Sequence, residues 1–215
     1  MSKHQLKARG QNQANYIRSI SENTVTCCTG VAGTGKTALA VGLACEYLLD
    51  EKVEKIIISR PTVGVGYDNL GFMPGDMIEK MDPYLVPILD EMRKYFSKTD
   101  LRKLLYDDVI QVVPLFYMRG RSFHSAFVIL DEAQNAEFAE IKMFLTRIGK
   151  KAKVVINGDI DQYDLKHNVP PLQIWTDEIL VDMEDIAICK LEKCDIVRHK
   201  LVGQILDRCS DYESR

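Results

Sequence analysis

Gly30-Val31-Ala32-Gly33-Thr34-Gly35-Lys36-Thr37 (GVAGTGKT) decides how the rest of the chain is read. It fits the pattern G-x-x-x-x-G-K-[ST] without a mismatch. Residues 24–29 (TVTCCT) are short, rich in β-formers and uncharged, which predicts a buried strand before the motif. Residues 37–49 are apolar and rich in Ala and Leu, which predicts a buried helix after it. Strand, glycine-rich turn and helix are the setting a phosphate-binding loop needs. The glycines let the backbone amides of residues 30–38, Ala38 included, turn toward phosphate oxygens at the positive end of the helix dipole. Lys36 can reach the β- and γ-phosphates, and the Thr37 hydroxyl can ligate Mg²⁺. A Mg²⁺-bound nucleotide is therefore the expected cofactor.

A second half of such a site follows downstream. Residues 127–130 (FVIL) predict a strand that runs into Asp131-Glu132-Ala133-Gln134-Asn135. Asp131 would hold Mg²⁺, directly or through water, and Glu132 could orient or deprotonate the attacking water. The plainer reading is an acidic N-cap for a helix carrying Phe138, Ile141, Phe144, Leu145 and Ile148 on one stripe, and the two roles are compatible. Residues 153–156 predict another strand, ending in NGDIDQYDL, where Gln162 has the reach to sense a γ-phosphate. Upstream, residues 11–20 read as an amphipathic helix with Gln13 and Tyr16. The amide can read N6 and N7 of adenine and the ring can stack on the base, whereas a solvated surface glutamine is the bland alternative.

The remaining segments complete an α/β pattern. Residues 55–59 (KIIIS) predict a strand ending in Arg60-Pro61. A long glycine-rich loop, 62–76, leaves from the end of that strand, where ligands of nucleotide folds bind, and is expected to be functional or mobile. Residues 76–96 read as helical, broken around Pro83 and Pro87. A short helix at 100–106 and a strand at 109–113, closed by Pro114, come next. In the turn YMRGRSFHSA, Arg119 and Arg121 flank a glycine; a solvated turn competes with a phosphate contact, to nucleotide or nucleic acid. Together with Arg60, these arginines are candidates for nucleic-acid or subunit contact. Pro170-Pro171 starts a helix expected to run to about 183. A sixth strand follows at 186–191, then a final helix capped by Asp195, with Val197, Leu201 and Ile205 on one face. Arg198 and His199 fall in its first turn, an unfavourable place for cations, which makes Arg198 a candidate site residue.

Bulk properties restrict the function classes. At 215 residues, 46% hydrophobic and 27% charged, one α/β domain spanning 1–215 is the default, with residues 1–10 and 210–215 expected as flexible ends. A net charge of −3 and a pI near 5.9 give no global attraction to nucleic acid, so RNA or single-stranded partners need a local patch. No apolar run approaches a membrane span and the N-terminus has no signal-peptide core, so the expected place is the cytoplasm. Cys189, Cys194 and His199 are evenly spaced, but not in a familiar zinc pattern; structural thiols are expected.

The ordered set GVAGTGKT, SRP, LGFMPGD, YMRGRSF, FVILDEAQN, NGDIDQYDL and DIVRHKLV resembles the PhoH-like ATPase family, from about Gln13 to about Leu206. DEAQN followed by GDxxQxDL is similar to superfamily 1 helicases, and MPGD with RGR narrows the match. The resemblance implies a single RecA-like P-loop NTPase domain, a mostly parallel sheet with helices on both faces. Small members are common in bacteriophages, for which the host cytoplasm is implied. By the same match Gln13 falls at an adenine-reading glutamine. No second RecA-like domain is recognisable, so helicase activity does not follow. The reading is Mg²⁺-dependent ATP hydrolysis, with coupling to RNA or DNA as its open extension. An ATP-controlled assembly module with little turnover is the alternative. Because the loop, Mg²⁺ and sensor residues approach from one side, a neighbouring subunit in a homo-oligomeric ring is expected to supply a cation. Arg198 is the first candidate, ahead of Arg119, Arg121 and Arg147.

Overall fold

The computed structural model describes residues 5–61, 86–163 and 169–197, together with residues 201, 204, 205, 208 and 212. The loop 62–76, Pro83, Arg198 and His199 lie outside the described residues. The elements are α1 (Gln11–Glu22), β1 (Val25–Gly30), α2 (Lys36–Leu49), β2 (Lys55–Arg60), α3 (86–92), α4 (Lys98–Tyr106), β3 (Ile110–Pro114), β4 (Ala126–Leu130), α5 (Phe138–Leu145), β5 (Lys153–Gly158), α6 (Pro171–Ile174) and β6 (Ile186–Leu191).

The six strands form one sheet in the order β3-β2-β4-β5-β1-β6, and every pairing is parallel. The near-continuous apolar runs of the inner strands β1, β2, β4 and β5 follow from burial on both faces, whereas the edge strands β3 and β6 are more exposed. Ile56, Ile58, Phe127, Ile129 and Val155 point into a core beneath α1, α2, α3 and α4, alongside Tyr16, Leu39 and Met92. Ile57, Val128, Leu130, Val154 and Ile156 point the other way, onto Met118, Ile141, Phe144 and Trp175. The two-residue period of a strand divides one apolar sequence between two cores. The result is the expected α/β architecture, a parallel sheet with helices on both faces.

The chain runs from β1 outward to β2 and β3, returns through β4 and β5, and crosses to β6 on the other side of β1. One strand, β5, thus separates the loop strand β1 from the acidic strand β4, and the carboxyl ends of all three converge on the crevice where such sheets bind ligands.

Two helices differ from expectation. The one starting at Pro171 does not reach 183: after Ile174 it widens into a π-turn, Trp175–Ile179, and stops. Trp175 stacks on Phe138 at 4.9 Å, and left-handed Asp182 and Asp185 then turn the chain into β6. Asp195 lies in a 3₁₀ turn, Lys193–Asp195, where its carboxylate accepts from the Glu192 amide and from Asn12 Nδ2 at 2.8 and 2.9 Å. Val197 is not helical; Leu201 and Ile205 are, and both are about half exposed.

Candidate phosphate-loop site

β1 ends at Gly30 with φ +156°, and a Cβ there would sit 2.2 Å from the Leu191 carbonyl oxygen of β6. Gly35, left-handed at φ +90°, opens α2, and a Cβ on it would crowd the Gln13 amide at 3.3 Å. These two glycines let the chain leave the strand and enter the helix in one tight turn. The turn is stapled from inside by Thr34, which is buried and donates its hydroxyl to the Val31 carbonyl at 2.8 Å. Lys36 Nζ lies back on the carbonyls of Gly30 and Val31, the latter at 3.1 Å. A triphosphate entering the loop has to exchange those two contacts for its own oxygens.

The loop opens on a cavity of about 440 Å³ into which Lys36, Thr37, Arg60, Asp131, Glu132 and Gln162 all project. Ala32, Gly33 and Ala38 also line it. Asp131, just past β4, is almost completely buried and accepts the Thr37 hydroxyl on Oδ1 at 2.7 Å. A hydroxyl that donates to a carboxylate keeps its lone pairs for a cation, so the pair fits a hard divalent ion such as Mg²⁺. That ion would neutralise charge on the β- and γ-phosphate oxygens, with Thr37 and Asp131 holding it from the protein side.

Arg60 was expected at a nucleic-acid or subunit contact. It instead caps the other oxygen of this carboxylate: Nε donates to Asp131 Oδ2 at 3.0 Å and Nη2 donates to the same oxygen. The strand pairing forces the encounter, since Arg60 ends β2 and β2 lies beside β4.

Glu132 is exposed and holds a left-handed backbone, φ +56°, a strain that non-glycine residues keep only where the surroundings demand it. Its Oε2 accepts from Gln134 Nε2 at 2.8 Å, while Gln134 Oε1 accepts from the Asp159 amide at 3.0 Å. Gln134 therefore ties the carboxylate after β4 to the end of β5. Neither carboxylate caps α5, which is capped by Glu137 in a reciprocal capping box with Glu140; Glu132 instead stands at the N-cap of the short 3₁₀ turn Ala133–Asn135, without a side-chain cap bond.

The end of β5 holds two site residues the sequence reading missed. Asn157 is fully buried and accepts the Tyr16 hydroxyl on Oδ1 at 2.6 Å. It lines the cavity, and its Nδ2 is buried without a hydrogen-bond partner among the described residues. Asp159 is buried too, and the loss of solvation raises its carboxyl above the ordinary carboxylate range, partly offset by the Asp161 amide and the Lys36 charge. Their signal was position alone, one at the tip and one just past the strand beside the loop strand. Gln162, exposed and in a turn whose amide donates to the Asp159 carbonyl, lines the same cavity.

Tyr16 needs correction. Its ring is completely buried under the sheet, so it has no face for a base. Gln13 is buried rather than solvated, with Oε1 accepting from the Arg9 amide at 2.8 Å and Nε2 donating to the Thr34 carbonyl at 2.9 Å. One donor hydrogen and one acceptor lone pair of that amide remain. A second cavity, lined by Leu6, Arg9, Gln13 and Leu39, shares Gly35, Ala38 and Val197 with the first and extends it toward the N-terminal segment.

Arg119 and Arg121 do not line these cavities. Both are exposed on the turn after β3, Arg119 over the Phe116 ring and Arg121 donating to Gln111 Oε1 at 2.8 Å. Cys189 is half-buried and Cys194 exposed, and among the described residues no group of three or more His, Cys, Asp or Glu side chains is placed to hold a metal ion. No described helix is long and apolar enough to cross a membrane.

A family model described as PhoH-like protein matches residues 5–210. A "PhoH-like protein" of Mycobacterium tuberculosis is 43% identical over 208 residues, covering 97% of this chain and 59% of that protein. "Protein PhoH" of Escherichia coli K12 is 38% identical over 203 residues, 94% of this chain and 57% of its own length. The chain thus spans about three fifths of the length of these bacterial relatives. Among solved structures, the Sulfolobus solfataricus SWI2/SNF2 ATPase core domain aligns with 74% of this chain and 33% of its own, at 14% identity and a TM-score of 0.45.

Proposed function

This chain belongs to the PhoH-like protein family and is a P-loop NTPase by fold; from that premise we propose that it binds Mg²⁺–ATP and hydrolyses it. The observation that carries the reading is the convergence of Lys36, Thr37, Asp131, Glu132 and Gln162 on one cavity at the carboxyl edge of the sheet. In this reading the loop amides and Lys36 hold the β- and γ-phosphates, and Thr37 with Asp131 serves Mg²⁺. Glu132 accepts a proton from the attacking water, held in place by Gln134. Asn157 and Gln162 approach the γ-phosphate end from β5, and Gln13 reads the adenine edge.

Coupling to single-stranded RNA or DNA is the extension of this proposal. Its support is local: exposed Arg119, Arg121 and Tyr117 cluster just past β3, a cation-and-ring surface suited to phosphates and bases. The five described cysteines are free, which suits a cytoplasmic enzyme.

The test is phosphate release by the purified chain with and without Mg²⁺, RNA and single-stranded DNA. Expected is Mg²⁺-dependent turnover that Lys36→Ala abolishes together with tight ATP binding. Tight ATP binding without phosphate release under any condition would replace hydrolysis by the ATP-controlled assembly module.

A further inference from the structure

Arg60 enters the phosphate cavity from the β2 side, with β4 and β5 between it and the loop strand. Its side chain is largely buried, and its guanidinium spends Nε and Nη2 on a single oxygen of Asp131. That carboxylate is the same one whose other oxygen accepts the Thr37 hydroxyl. A permanent cation therefore rests against the group that serves Mg²⁺ in the proposed site. A divalent ion arriving on a triphosphate competes with the guanidinium for Asp131 and repels it. The strongest anion newly present in the same cavity is the terminal phosphate, and a guanidinium fork matches phosphate geometry.

We propose that Arg60 is the cation that reads the γ-phosphate in this site, supplied by the same chain and held on Asp131 until Mg²⁺ and a nucleoside triphosphate enter. The proposal rests on the reading of this cavity as a nucleoside triphosphate site. It makes Arg60 a specificity residue, recognising the triphosphate over the diphosphate, because only the former places a phosphate beyond Lys36. A residue that merely oriented Asp131 would affect both nucleotides alike through the shared Mg²⁺.

The experiment is calorimetric binding of a non-hydrolysable ATP analogue and of ADP, each with Mg²⁺, to the full chain. Arg60→Gln is expected to weaken the triphosphate about 10-fold or more while ADP affinity stays within about 2-fold, the scale of a lost charge-assisted hydrogen bond. Arg60→Lys should recover part of the triphosphate affinity. Because Arg60→Gln leaves Asp131 buried without its cation, the comparison is repeated between Asp131→Asn and Asp131→Asn/Arg60→Gln, where the same triphosphate-selective loss is expected. Equal weakening of both nucleotides, or no change in their ratio, in both comparisons overturns the proposal. Lys36→Ala separates the two failures. If the native chain binds neither nucleotide, or if Lys36→Ala binds both normally, the site reading fails and Arg60 with it. Lys36-dependent binding with an unaltered ratio in the Arg60 variants refutes Arg60 alone.

Discussion

Glu132 combines a strained backbone, solvent exposure and a fixed partner in Gln134, the combination expected of a side chain held ready for a reactant. Glu132→Gln should keep ATP affinity and lower turnover by roughly 10²-fold or more, as removal of a general base does. Single-turnover phosphate release checks it, and native-like rates would move the water-positioning role to Gln162. Asp159 carries a different signature. Its carboxyl is raised by burial, so folding favours the protonated form. That stabilisation is complete below the unfolded value of about 3.9 and is lost as pH rises through the elevated folded value. The melting-temperature difference between the native chain and Asp159→Asn should shift against the native chain as pH rises from about 4 through that window; a difference that does not change with pH refutes the assignment. At this scale the motif residues were legible because their chemistry is bound to a fixed spacing. Asn157, Asp159 and Gln134 were not, because nothing local marks a buried amide or acid as facing a cavity. Tyr16 was misread for the converse reason: an aromatic near a nucleotide motif looks the same in sequence whether it faces a base or a core.

Among the elements, β1 and β6 meet most tightly where the loop begins. The missing side chain of Gly30 lets the β6 backbone approach the loop, and backbone cannot yield as a flexible side chain can. Gly30→Ala should cost about 1–3 kcal/mol of stability, the usual range for overpacking, and weaken nucleotide binding in proportion to the displaced loop. The midpoint of urea unfolding together with ATP affinity tests this; native values of both would show that the approach relaxes freely. The strands were predicted to within a residue or two because apolar runs bounded by polar turns leave little choice. The helices after β5 were not. The π-turn at Trp175 is set by a ring stacked on Phe138 from a different element, and a local periodicity argument cannot see it.

For the whole molecule, the expectation of a ring came from a site with cations on one side only. Arg60 changes that premise by entering from the far side within the same chain. Turnover per subunit should then be independent of protein concentration across any assembly range. A rise with concentration, with partial rescue of Arg198→Ala by mixing with Lys36→Ala, would restore a cation donated between copies. Charge reversal at Arg119 or Arg121 should alter RNA stimulation and leave RNA-free turnover unchanged; identical stimulation would return that turn to a solvated role. Net acidity hid this patch from any bulk measure, and only its position past β3 sets it apart.

The Val197 amide donates to the Gly33 carbonyl at 3.1 Å, and the Val197 carbonyl in turn accepts from Arg9 at 3.4 Å. The segment after β6 is thereby tethered to the middle of the phosphate loop. Three residues before the tether stands Cys194, exposed and free, whereas Cys27, Cys28 and Cys45 are buried with thiols pushed well above the ordinary range. With the half-buried Cys189 and the remaining cysteine of the sequence, Cys209, both replaced by Ser, an environment-sensitive dye coupled to Cys194 should change its emission when ATP loads the loop, and Lys36→Ala should abolish the change. The protein carries its own attachment point for an optical readout of nucleotide occupancy, independent of whether any phosphate is released.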